Sequence, residues 1–262
     1  MRGWLRAGVL SVVVLVLLAG CADTMASLSA QLRRGYAAQG AYQHGLEAYQ
    51  ARHYDQALPE LRRAVALDPT LDEAQALLAW SAYYVHNYPE AALHFRRALA
   101  RQPQWGGLYD GLGWTRYRVG RYHLALEAFH EALRLEATDR DAAVGAAFAL
   151  FELGRYAEAL PSLERLTHDG EGSVFKKPAA DLDEVRSRYA WTLFYVGAYA
   201  HAQAEFAKGL AARPTWYGLY DGLGWSQLKL GERAQARVSF ERALQLQPDF
   251  ADAREGFAQA RR

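Results

Sequence analysis

Apolar residues recur three or four positions apart through most of the chain, and no segment alternates apolar and polar residues as a strand does. Glycines fall between successive helical stretches, where they are typical of the turn that joins two helices. These turn glycines are Gly120, Gly154, Gly197 and Gly231. Prolines stop helices after four of the stretches, at Pro69, Pro103, Pro214 and Pro248. The pattern predicts an all-α protein built from pairs of helices.

The helical pairs repeat at a constant interval that is broken once. One alanine marks the same place in every unit, at Ala57, Ala91, Ala125, Ala159, Ala202 and Ala236. The interval predicts units 1–4 at 38–71, 72–105, 106–139 and 140–173 and units 5–6 at 183–216 and 217–250, with a capping helix at 251–262. The extra residues 174–182 separate units 4 and 5, and are either a tolerated surface insertion or a hinge and partner-contact loop.

One motif, G-L-Y-D-G-L-G-W, occurs twice, at Gly107–Trp114 and again at Gly218–Trp225. A tryptophan precedes each copy, Trp105 and Trp216. The glycines suggest a ligand loop, but the repeat register places both copies inside helices. Helix packing accounts for Tyr109, Leu112 and Gly113 and for their counterparts in the second copy, but it does not require Asp110, Trp114, their counterparts or the tryptophan before each copy. Gly111 and Gly222, which weaken a helix by up to ~1 kcal/mol relative to alanine, stay unexplained.

The spacing of small residues, large apolar residues and closing prolines resembles the tetratricopeptide repeat (TPR). The resemblance implies a right-handed superhelix of antiparallel helix pairs whose first helices line a concave groove. We therefore predict a ligand-binding groove formed by Trp80, Tyr83, Trp105, Asp110, Trp114, Tyr117, Phe148, Phe151, Trp191, Phe194, Trp216, Asp221 and Trp225. The alternative is that these aromatic residues are buried against each other.

Residues 1–20 have the pattern of an export signal, because Arg2 and Arg6 precede the apolar run Ala7–Ala19. That run reaches roughly 20 Å as a helix, less than the ~30 Å core of a membrane. Leu18–Cys21, L-A-G-C, resembles a bacterial lipobox, which implies cleavage before Cys21 and a lipid on its sulfur. Residues 21–37 are then the lipidated cysteine and a tether. An incidental cysteine after an ordinary signal peptide is the alternative.

Charge and motifs exclude several classes of function. The 30 Lys and Arg balance 29 Asp and Glu, so no basic field indicates nucleic acid. Standard motifs for a catalytic zinc or a nucleotide are absent, and the histidines lack ligand spacing. Paired catalysis by Asp110 and Asp221 needs carboxylates within about 10 Å, whereas three repeats of ~10 Å each separate them. We expect no enzyme activity, metal or cofactor.

These expectations combine into a non-enzymatic scaffold that binds a protein or peptide in the groove. TPR lipoproteins of similar layout serve polysaccharide export, pilus assembly and cell-wall machinery, so the resemblance implies assembly of an envelope complex. The predicted location is the periplasmic face of the outer membrane, held by lipid. The alternative is a glycan-binding protein, because tryptophan faces suit sugar rings. In either case an acidic residue, Asp110 or Asp221, accepts sugar hydroxyls or pairs with a basic peptide side chain.

Overall fold

The computed structural model describes residues 2–168 and 182–262, with side chains for Met25 and from Ser27 onward. Within these ranges the chain forms thirteen α-helices and no strand, which confirms the all-α prediction. The helices are α1 (Arg2–Gln50), α2 (Tyr54–Leu67), α3 (Asp72–Tyr84), α4 (Tyr88–Arg101), α5 (Gly106–Arg118), α6 (Tyr122–Leu135), α7 (Arg140–Glu152), α8 (Tyr156–His168), α9 (Leu182–Tyr195), α10 (Tyr199–Ala212), α11 (Tyr217–Lys229), α12 (Arg233–Leu246) and α13 (Ala251–Ala260).

The helices divide into two compact units, Met1–Pro103 and Gln104–Arg262. In the first unit α1 packs on α2 and α3 packs on α4. In the second, α5 to α12 form four successive pairs, and α13 packs against α11 and α12 at the end. We call the members of a pair the first helix and the second helix. Both copies of the repeated motif lie in first helices, α5 and α11, as the register predicted.

Phenylalanines of the second helices fit into spaces that glycines leave on the first helices. The ring of Phe129 lies between Gly113 and Gly145, where an added Cβ would meet it at 2.6 Å and 2.3 Å. A Cβ at Gly222 would meet the ring of Phe206 at 2.2 Å, closer than real Cβ contacts allow. Close helix packing therefore explains Gly222, for which the sequence pattern gave no reason. Gly111 is buried at the same place in its own repeat.

The turns between paired helices use a left-handed residue. Gly120, Gly154, Gly197 and Gly231 have φ values of 74°, 72°, 87° and 82°. Glycine adopts this region at no steric cost, which confirms their predicted place at the turns. The same turn in the first two repeats holds Arg52 and His86, with φ values of 62° and 64°. Those two residues carry a Cβ in a region that disfavours it.

Several predictions about the N-terminus and the insertion fall outside what the structure describes. The side chain of Cys21 and residues 174–181 lie outside the described residues, so lipidation and the role of the insertion stay predictions. Helix α1 runs through the predicted tether, with exposed side chains from Ser27 to Tyr36 and a buried one at Ala38. Among the residues whose side chains are described, no helix is both long and apolar enough to cross a membrane.

Candidate ligand-binding cavity

A cavity of about 320 Å³ lies in the second unit between α9, α11 and α13. We call it the C-terminal cavity, and its lining residues are Trp191, Phe194, Tyr195, Asp221, Trp225, Lys229 and Asp252. Spacings of three and four residues bring the side chains of each helix onto one face, as in Trp191 to Phe194 and Asp221 to Trp225. Four of its residues, Trp191, Phe194, Asp221 and Trp225, belong to the predicted groove.

The two tryptophans of the cavity are fixed from behind by the core. The ring of Trp191 packs edge-to-face on Phe206, with centroids 5.1 Å apart and planes at 76°. The ring of Trp225 packs on Phe240 in the same way, at 5.4 Å and 77°. Both indoles are half-buried. Because the phenylalanines are themselves 0% exposed, they hold the tryptophan rings in place and leave one side of each ring on the cavity.

Asp221 is an acidic side chain in an apolar setting. It is 2% exposed, and among the described residues its Oδ1 atom has no hydrogen-bond partner. Burial, and second the negative charge of Asp252, raise the pKa of Asp221 from 3.8 to about 7, although a hydrogen bond with Trp225 acts in the opposite direction. Removing water from a carboxylate disfavours its charged form, and a second carboxylate adds repulsion. The cavity thus contains an acidic group that favours a proton or a cation.

The predicted groove residues Trp105 and Trp216 do not line this cavity. They are the N-cap residues of α5 and α11. The indole nitrogen of Trp105 would lie 3.4 Å from a Cβ at Gly107, and that of Trp216 lies 3.5 Å from the same point at Gly218. Each tryptophan therefore covers the first turn of its helix, and the guanidinium of Arg213 lies 5.4 Å from the ring of Trp216.

Trp114, Asp110 and Phe148 are interior residues of the second unit. Trp114 is 1% exposed, and its ring lies 5.3 Å from that of Phe129 and 6.3 Å from that of Phe148. Core packing therefore accounts for Trp114, contrary to the sequence-based interpretation that packing does not require it. Asp110 is 0% exposed. Its side chain lies within the protein rather than on an open surface.

An arginine of the same chain packs on the aromatic residues of α7. The guanidinium carbon of Arg188 in α9 lies 4.2 Å from the ring centre of Phe148 and 5.3 Å from that of Phe151. It forms an ion pair with Glu152 at 2.7 Å, and its second nitrogen donates to the Tyr117 hydroxyl at 3.1 Å. Tyr117 in turn donates to Glu152 at 3.0 Å. The predicted groove residues Tyr117, Phe148 and Phe151 thus bind a guanidinium from within the protein.

The first unit contains the remaining two predicted residues, Trp80 and Tyr83. Trp80 is half-buried and packs on Phe95 at 5.1 Å, as Trp191 does on Phe206. Tyr83 is 7% exposed. A stack beside them joins Tyr84 to Tyr54, with centroids 4.3 Å apart.

A separate cavity of about 560 Å³ in the first unit is less suited to a ligand. Its residues include Arg62, Gln75, His94 and Arg101. Arg62 pairs with Glu90 at 2.7 Å and Arg101 with Asp72 at 2.6 Å. Buried His94 shares a 2.7 Å hydrogen bond with Gln75. These polar groups already satisfy one another. Within the described residues, no group of three or more His, Cys, Asp and Glu side chains could hold a metal ion.

Sequence analysis missed three residues of the C-terminal cavity, Tyr195, Lys229 and Asp252. The offset between the twin motifs, which takes Gly107 to Gly218, is the signal that finds them. Five of the seven lining residues are identical to the residue that lies one such offset earlier: Trp80, Tyr84, Asp110, Trp114 and Asp141. The other two lining residues differ by a conservative replacement, because Phe194 corresponds to Tyr83 and Lys229 corresponds to Arg118. The duplication has therefore kept the chemistry of the whole set and not of the repeated motif alone.

Comparison with known proteins agrees with the helix-pair architecture. Three tetratricopeptide repeat models match the chain, over residues 42–104, 117–175 and 217–250. No curated protein matches the chain significantly.

Among solved structures, YrrB, described as a TPR protein with an unusual peptide-binding site, is 20% identical. The match covers 74% of this chain and 96% of YrrB, with a TM-score of 0.64. Pseudomonas aeruginosa pilF is 19% identical over 86% of this chain and 99% of its own, with a TM-score of 0.66. PilW, a type IV pilus biogenesis factor, is 18% identical over 83% and 97%, with a TM-score of 0.64.

Proposed function

Because the chain belongs to the tetratricopeptide repeat family, whose members bind peptide and protein partners, we propose that it binds a peptide segment of a partner protein in the C-terminal cavity. The observation that carries this proposal is the pair of half-buried tryptophans, Trp191 and Trp225, held against the core beside a buried carboxylate. Rigid aromatic side chains of this kind supply large contact area at low entropic cost, and they dominate binding energies at protein interfaces.

The cavity suits one or two side chains of an extended peptide rather than a whole small-molecule substrate. Its volume of about 320 Å³ is at the lower end of ligand pockets. Its polar groups, Asp221, Lys229 and Asp252, lie on two helices. This arrangement supports a scaffold that holds a partner, and we propose no catalytic step.

The scaffold is proposed to serve assembly of a cell-envelope complex, held by a lipid on Cys21 at the periplasmic face of the outer membrane. The support for this location is the L-A-G-C sequence that ends at Cys21. The structural likeness to pilF and PilW makes pilus assembly the first system to examine. Mass spectrometry of the mature N-terminus tests the anchor. An acylated Cys21 supports it, and a mature protein that begins at another residue contradicts it.

A photo-crosslinking residue placed at exposed Lys229 tests the binding proposal in the full chain. Exposed Lys208 on α10, which pairs with Glu205, is the matched control position outside the cavity. We expect a partner to crosslink from position 229 and not from position 208. Crosslinking must also be lost when Asp252 is changed to Arg and kept when Asp249 is changed to Arg. Equal crosslinking from both positions, or none from 229, contradicts the proposal.

A glycan is the second candidate ligand for the same cavity. The exposed sides of Trp191 and Trp225 could stack on sugar rings, and Asp221 could accept a sugar hydroxyl. Titration of tryptophan fluorescence with peptidoglycan fragments and with peptides separates the two candidates. Saturable quenching by glycan fragments, lost in Asp252→Arg and kept in Asp249→Arg, favours the glycan.

A further inference from the structure

The C-terminal cavity has two acidic side chains and only one basic side chain among its lining residues. Asp221 and Asp252 both line it, against a single cation, Lys229. Within the described part of the chain, neither carboxylate forms a salt bridge, whereas Asp183 on α9 pairs with Arg213 at 2.6 Å. A buried carboxylate with an unused acceptor atom is costly unless it gains a partner on binding. The charge of the cavity therefore favours a cationic ligand.

The aromatic walls favour the same kind of ligand. Tyr195 stacks on Trp191, with centroids 5.9 Å apart and planes at 28°. It also stacks on Tyr156, at 4.3 Å and 15°. The faces of aromatic rings carry partial negative charge, and a tryptophan face attracts Lys and Arg most strongly. Fixed rings beside two carboxylates thus combine two attractions for one cation.

The protein already contains a bound cation of this type one repeat earlier. Arg188 lies over Phe148 at 4.2 Å, and its charge is met by Glu152 at 2.7 Å. Phe148 and Trp191 occupy the same place in their repeats, α7 and α9. The contact shows that this row of first-helix aromatic residues accepts a guanidinium when an acidic group stands beside it.

We propose that the C-terminal cavity receives the Lys or Arg side chain of a bound peptide, with the cation between the aromatic walls and the carboxylates of Asp221 and Asp252. This inference rests on the proposed function and adds the chemical identity of the residue that the cavity selects. The alkyl part of the side chain contacts Trp191 and Trp225, and the charged end reaches the buried carboxylate.

Selection of random heptapeptides on the full chain tests this inference. We expect the selected peptides to contain Lys or Arg and to crosslink from position 229. For an arginine peptide, replacement of that arginine by citrulline, a neutral residue of the same shape, should weaken binding by about tenfold or more. For a lysine peptide, norleucine replaces the lysine, with the same expected loss.

Variants of the cavity complete the test. Asp221→Asn and Asp252→Asn should each lower the affinity for the selected peptide by about five- to tenfold, and Asp249→Asn should leave that affinity unchanged. Asp249 is an exposed residue paired with Arg254, outside the cavity. Because Asp252 is also exposed, its variant keeps the test valid if Asp221→Asn does not fold.

The two proposals fail in different ways. Peptides that crosslink at 229 but tolerate the neutral replacement, or that bind both Asn variants unchanged, overturn the cation inference and leave peptide binding intact. If no peptide of the library binds the chain, peptide binding in this cavity is itself contradicted.

Discussion

Gly222→Ala is the sharpest test of how the helices pack, because the same change has opposite effects at two places in α11. An added Cβ at Gly222 lies 2.2 Å from the ring of Phe206, which is fully buried and cannot move away. At Gly218 the nearest atom is the Trp216 indole nitrogen at 3.5 Å, an ordinary contact. The two glycines lie one turn apart on the same helix, so Gly218 is a matched control for Gly222.

The expected magnitude follows from two opposing terms. Alanine in place of glycine favours a helix interior by up to ~1 kcal/mol. Overpacking a filled core costs about 1–3 kcal/mol, and a contact at 2.2 Å belongs in the upper part of that range. Gly222→Ala should therefore lower the free energy of unfolding by about 1–2 kcal/mol. Gly218→Ala meets no clash and should change it by no more than about 0.5 kcal/mol, towards greater stability.

Urea unfolding followed by circular dichroism and tryptophan fluorescence measures the stability of both variants.

Phe206→Leu, alone and combined with Gly222→Ala, tests whether the Phe206 ring is the cause of the loss. Leu61 and Leu163 occupy the second-helix position at which the other repeats have phenylalanine. The position on the next first helix, which is glycine after each phenylalanine, is Leu77 after Leu61 and Arg188 after Leu163. Phe206→Leu should therefore relieve Gly222→Ala, so that the double variant loses at least about 1 kcal/mol less than the two single losses together. If Gly222→Ala is as stable as the wild type, or the two losses simply add, the packing explanation is wrong.

Three further predictions concern charge and backbone. The pKa of Asp221 is raised from 3.8 to about 7, so the folded state holds a proton that the unfolded state has lost, and the free energy of unfolding should fall as pH rises across that interval. Asp221→Asn should remove this fall from a plot of urea midpoint against pH. Asp252, Lys229 and Tyr195 are the other titratable groups that face Asp221 in the cavity. Burial lowers the pKa of His94 below 6.5, so the unfolded state takes up the proton first, and wild type should lose more stability than His94→Gln as pH falls below about 6.5. Arg52→Gly should raise the free energy of unfolding by about 0.5–1 kcal/mol because it removes a Cβ from a left-handed turn, and an unchanged urea midpoint contradicts this.

The fold was predictable because its signals are local and recur. The turn glycines, the periodic alanines and the closing prolines each act within one or two helices, so the repeat interval, with one insertion at 174–182, is enough to place every pair. The last helix, α13 at Ala251–Ala260, was predictable for the same reason.

The exposure of the groove residues was not predictable from their own helix. Trp114 and Trp225 end identical motifs, yet Trp114 is 1% exposed and Trp225 is half-buried. The difference comes from the next first helix. The residue one repeat after Trp114 is Phe148, whose ring packs on it at 6.3 Å, whereas the residue one repeat after Trp225 is Gln259, which is exposed. Side-chain burial in such an array depends on the neighbouring repeat, so a pattern within one repeat cannot fix it.

The same dependence links core packing to the open cavity. Arg188, whose guanidinium lies over Phe148, occupies the same repeat position on α9 as Gly222 on α11 and Gly256 on α13. Those two positions must be glycine because Phe206 and Phe240 occupy the space of a Cβ, at 2.2 Å in both cases. After Leu163 the position tolerates arginine, and that arginine covers the aromatic residue of the preceding first helix. After Phe206 and Phe240 that position is glycine, so it supplies no side chain to lie over Trp191 or Trp225 as Arg188 lies over Phe148. Phenylalanine in the second helices therefore keeps the tryptophans of the C-terminal cavity available to a cation from another molecule.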